Sequence, residues 1–80
     1  MKTKLGDVVN VVFRDHSCTL GGGLSEPITI NAYGIVKRIT EEYITLVTWE
    51  VEGEESLEVT PNREGCAILR SCIIKTRVLK

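Results

Sequence analysis

The residue types best able to do chemistry crowd into one stretch, "RDHSCTLGGGLSEP", residues 14–27. It holds the single histidine, one of the three cysteines and three consecutive glycines. Successive backbone N–H groups in a glycine-rich turn can converge on an anion, and Gly21, Gly22 and Gly23 offer a phosphate no side-chain obstruction. Arg14, His16, Ser17 and Thr19 would supply donors nearby, and Lys37 and Arg77 would add cations from other segments. These nine residues are the expected binding set for a small phosphate-bearing ligand. The stretch is not a Walker loop, because no Lys-Ser/Thr pair follows the glycines and no helical period begins there. The competing reading is a flexible connector, since glycine runs commonly mark loops.

Catalysis and metal binding are not expected. Asp15, His16 and Ser17 are consecutive, and neighbours on an extended chain point to opposite faces, so they cannot form a Ser-His-Asp relay unaided. His16, Cys18, Cys66 and Cys72 are of the right types for zinc but lack ligand spacing. No metal or other cofactor is therefore implied. An odd number of cysteines without framework spacing suggests reduced, largely buried thiols, with a Cys66–Cys72 disulfide reserved for an oxidising setting.

The elements that must position these residues read as strands. Valine and isoleucine dominate the apolar content, and only four residues are aromatic, which favours β structure. Residues 7–14, "DVVNVVFR", alternate with Val9, Val11 and Phe13 on one side. Residues 28–39 form a second strand, in which Gly34 suggests a bulge or bend, and a tight turn at 40–42 leads into a third at 43–51. A polar arm follows, with a short strand expected at 57–59. Residues 66–70 and 73–79 are the last two strands, joined by a single 3₁₀-type turn at Ser71 and Cys72.

The expected fold is all-β: a small five-stranded SH3-like barrel forming one domain over residues 1–80, with a long loop after strand one and an acidic arm between strands three and four. An OB-fold is disfavoured because no helical period appears in residues 50–65. Val9, Val11, Phe13, Ile35, Ile44, Leu46, Ile68 and Ile74 are the expected core, with Trp49 contributing.

Three blocks, "VVFRDHS" (11–17), "AYGIVKRITEEYITLV" (32–47) and "CAILRSCIIKTRVL" (66–79), together resemble a family of small, mostly uncharacterised phage proteins. The resemblance covers about half the chain and implies a phage or prophage origin and a compact β fold. It supplies no catalytic residues. The glycine triplet and the arm "EGEESLEVTPNRE" depart from that pattern.

Net charge is −1, but its distribution is divided. Residues 39–62 carry seven glutamates and no Lys or Arg, whereas the remainder carries +6. An 80-residue chain buries a small core, so self-association through the acidic arm and basic strands is expected to give a homo-oligomer. The acidic segment weighs against a long polyanion as partner, and four aromatics make a poor stacking platform for single strands.

The start "MKTKLGDVV" lacks the apolar core of a signal peptide and no run is long enough to span a membrane, so a cytoplasmic location is expected. The function these features favour is non-enzymatic: capture of a nucleotide-type ligand, such as an immune signal sequestered by an anti-defence sponge. The alternatives are a small nucleic-acid-binding barrel and a structural or host-protein-binding module.

Overall fold

A computed structural model describes residues 3–15 and 22–80. Five strands follow one another: β1 (Val8–Asp15), β2 (Ile28–Ile39), β3 (Tyr43–Glu50), β4 (Arg63–Leu69) and, after a 3₁₀ turn at Arg70–Cys72, β5 (Ile73–Val78). All pairings are antiparallel, in the order β4-β3-β2-β1-β5. The sheet is not closed into a barrel, because β4 and β5 lie at opposite ends of this order. Strand positions follow the sequence reading, except that the fourth strand begins at Arg63, three residues before its expected start, Arg70 belongs to the 3₁₀ turn, and residues 57–59 form no strand. They belong instead to an irregular arm, residues 51–62.

The long strand β2 serves two neighbours. Its residues from Ile28 to Ile35 pair with β1, while those from Ile35 to Ile39 pair with β3. Gly34 lies close against β3: a Cβ there would lie 2.9 Å from the Val47 carbonyl oxygen and 3.2 Å from the Leu46 Cβ. The register shift expected near this glycine falls between Val36 and Arg38 instead. A glycine at a close approach and a bulge two to four residues on both permit the strand to bend.

The sheet carries one apolar cluster of Val9, Val11, Val36, Ile44, Leu46 and Ile68, with Phe13, Ala32, Ile39 and Ile73 packed against it. Two of the expected core residues face outward: Ile35 is 38% exposed and Ile74 is 54% exposed. The pairing of Val9 with Gly34 and Val11 with Ala32 turns the even-numbered residues of β2 as far as Val36 inward, so Val36 takes the place given to Ile35. In β5 a register shift opposite Val12 and Phe13 brings Ile73 inward in place of Ile74. Trp49 is half-exposed, paired with Glu64 beyond a register shift and outside the core cluster. Cys66 is exposed on edge strand β4 rather than buried, and both it and Cys72 are free thiols.

Side-chain contacts to backbone define the turns. Thr40 Oγ1 accepts from the Glu42 and Tyr43 N–H groups at 3.1 and 2.9 Å, fixing the β2–β3 connection. The Arg70 N–H donates to the Glu42 carbonyl and its guanidinium to the Thr40 carbonyl, each at 2.8 Å, tying the 3₁₀ turn to that same connection.

The acidic arm is bound to its own chain. Glu50 accepts from Lys37 Nζ at 2.7 Å and from Arg63 Nε at 3.2 Å, and Arg38 pairs with Glu58. Arg63 also donates to the Glu54 and Glu55 carbonyls, while the Glu54 carboxylate receives Thr60 Oγ1 and Asn62 Nδ2.

Glu50 makes stability depend on pH. The hydrogen bond from Lys37 is the largest influence on its carboxyl and, together with that from Arg63, outweighs partial desolvation to hold the group below its ordinary value. A carboxyl depressed in the folded state stabilises above its unfolded pKa, about 4.3 for Glu, and that contribution disappears as pH falls through the folded value. Urea midpoints of Glu50→Gln and the parent chain should therefore differ at pH 7 and converge towards pH 3. A constant difference across that range would show that the ion pairs contribute nothing.

Candidate binding face

The outward residues of β1 stand between those of β2 and β5 in cross-strand rows. Asn10 lies between Tyr33 and Arg77, and Val12 between Asn31 and Lys75, while Arg14 faces Thr29. Strand alternation puts all of these on the face opposite Val9 and Val11. Asn10, Val12, Asn31, Tyr33, Lys75 and Arg77 line a shallow pocket of about 360 Å³, near the lower end of the size range for small-molecule sites.

The floor of this pocket is closed and its rim open. Asn10 is 5% exposed and Val12 is 9% exposed, although both are on an outward face, because longer side chains stand around them. Tyr33, by contrast, is 55% exposed and can offer its ring to a planar group. Arg14, Lys75 and Arg77 place three positive charges on these rows, which hold no Asp or Glu. The ion pairs among the described residues engage Lys37, Arg38 and Arg63 instead. A phosphate on the face would therefore meet cations that form no ion pair among the described residues.

Of the binding set expected from sequence, Arg14 and Arg77 share this face, Arg77 in the row of Asn10 and lining the pocket, Arg14 four residues along β1 and outside it. Lys37 does not join them: it lies at the β2 bulge, held by Glu50. Gly22 and Gly23 are exposed, and Gly23 has φ +87°, a conformation that favours glycine. His16, Ser17, Thr19 and Gly21, like Cys18, lie outside the described residues. Tyr33, Asn10 and Asn31 were not singled out by sequence. The available signal was the lone polar residue in "VVNVVF", whose side chain had to find partners on an otherwise apolar strand.

This arrangement can hold an anion beside a planar ring and can hydrogen-bond through amides. The rows contain no thiol, carboxylate or imidazole. Among the described residues, no group of three His, Cys, Asp or Glu side chains is placed to hold a metal ion, and no helix is long and apolar enough to cross a membrane. Compared with protein-family models, curated proteins and solved structures, the chain finds no match.

Proposed function

We propose that the chain is an SH3-like module, open between β4 and β5, that binds a phosphate-bearing ligand of nucleotide type without chemically altering it. The strand order and the 3₁₀ turn before β5 support the SH3-like reading. One observation carries the functional reading: Arg14, Lys75 and Arg77 share a face with the exposed Tyr33 ring and the Asn10–Asn31 amides. The cations take the phosphate, the ring takes the base, and the pocket accommodates about one nucleotide unit. Capture followed by intact release suits a protein that sequesters a nucleotide signal, the role of an anti-defence sponge.

A second reading has its own support. Arg14 lies one row beyond the pocket, and cations two residues apart on a strand are about 7 Å apart, so a single-stranded nucleic acid could track from Arg77 past Lys75 to Arg14. Calorimetry with mononucleotides, cyclic dinucleotides and short DNA and RNA oligomers separates the two. Saturable binding of a small nucleotide, recovered intact, is expected, with amide shifts at Asn10, Tyr33 and Arg77 in NMR spectra. Binding of oligomers alone, with a steep salt dependence, would replace the small-ligand reading.

A further inference from the structure

Asn10 is the one buried polar or charged residue among the described residues, and it sits in the floor of the pocket. A side-chain amide offers two donors and two acceptor sites, and burial makes each unmet group costly. Here Nδ2 donates to the Ala32 carbonyl at 3.3 Å and to Asn31 Oδ1 at 3.4 Å, both longer than the usual N–H···O range. A carbonyl can only accept, so the contact with Ala32 fixes which end of the Asn10 amide is nitrogen. No buried side-chain nitrogen or oxygen among the described residues lacks a partner, so Asn10 Oδ1, which takes no hydrogen bond there, keeps solvent access as an acceptor. Asn31, whose Oδ1 receives Asn10, keeps its own Nδ2 as a donor.

Resting on the reading above, we infer that Asn10 and Asn31 read the edge of the ligand's base, and that adenine is the base they suit best. The pair presents one acceptor and one donor at the pocket. Adenine answers with a donor beside an acceptor on either of its exposed edges: the N6 amino group next to N7, or next to N1. Guanine presents two acceptors, O6 and N7, on the N7 edge and matches the pair only through O6 and N1–H, whereas adenine matches on both of its edges. Tyr33 occupies the row of Asn10, where its exposed ring can stack on the base. Arg77 lies on the other side of Asn10, with Lys75 two residues along β5, so the phosphate falls on the β5 side. The amide pair thus sets specificity, whereas the cations hold phosphate of any origin.

Three probes test this: AMP, N6,N6-dimethyl-AMP, which lacks the amino hydrogens, and ribose 5-phosphate, which lacks the base. AMP is expected to bind about 5- to 150-fold more tightly than either of the others, the range that bidentate base contacts supply. In Asn31→Ala, a change at an exposed position, the advantage of AMP over N6,N6-dimethyl-AMP should shrink towards unity while ribose 5-phosphate affinity stays at the parent value. If AMP and ribose 5-phosphate bind equally, base reading is overturned and the phosphate site stands. Equal weakening of AMP and ribose 5-phosphate by Asn31→Ala would also overturn it, since a general structural role would act on both. If none of the three binds, the nucleotide reading itself fails and this inference fails with it.

Discussion

Replacing Leu46 with alanine is expected to destabilise the protein by about 2–5 kcal/mol, the range for a large apolar side chain removed from a closed core. Leu46 is fully buried, on a strand flanked by β2 and β4, within the cluster that includes Val9, Val11, Val36, Ile44 and Ile68. β3 has a hydrogen-bonded neighbour on each side, so relaxation into the vacated space is limited. For a chain of this length total stability is about 4–12 kcal/mol at 0.05–0.15 kcal/mol per residue, so the change consumes a large fraction of it. Chemical denaturation should show a lower midpoint with an unchanged slope. Leu69→Ala, at an exposed position on edge strand β4, is the comparison and should cost far less. A loss below about 0.5 kcal/mol for Leu46→Ala would contradict the inward placement of that residue.

That inward placement was legible because Val9, Val11 and Phe13 in β1, and Ile44 and Leu46 in β3, are apolar at every second position while polar Asn10, Arg14 and Thr45 interrupt the other side. The phase of β2 was not. Apolar residues occur at both parities there, with Ile30, Ala32 and Val36 on one side and Tyr33 and Ile35 on the other, so pairing had to decide. The choice was made by Gly34, whose missing side chain admits Val47, and this close approach depends on a strand distant in sequence. Ile73 and Ile74 posed the same problem, since adjacent identical residues carry no phase and a register shift selected between them.

The candidate site was less legible than the fold. Arg77 and Lys75 were visible as alternating cations, but nothing local separates them from cations paired within the chain. Lys37 and Arg38 turn out to be held by Glu50 and Glu58, partners that only the folded-back arm supplies. The arm was readable as acidic, and its charge suggested a partner. Its internal hydrogen bonds to Arg63, Thr60 and Asn62 were not readable, because they depend on a specific turn geometry. Asn10 becomes informative only when β2 and β5 are placed on either side of it.

Reversing charge at both Lys75 and Arg77 is expected to weaken nucleotide binding by at least about a hundredfold. Each charge-assisted hydrogen bond is worth roughly 1.5–3 kcal/mol, so losing two corresponds to about 3–6 kcal/mol, and the introduced carboxylates repel the phosphate as well. Contributions within one site are seldom additive, which is why the lower end of that range sets the expectation. Both residues are exposed and neither takes part in the ion pairs of the described residues, so Lys75→Glu/Arg77→Glu should fold with a near-parent denaturation midpoint. Arg38→Gln, which removes a cation bound to Glu58, should leave binding unchanged and so distinguishes a local site from general attraction to anions. Parent affinity should fall with added salt, and the doubly reversed variant should lose that dependence. Parent-like nucleotide affinity in Lys75→Glu/Arg77→Glu would remove the phosphate from this face.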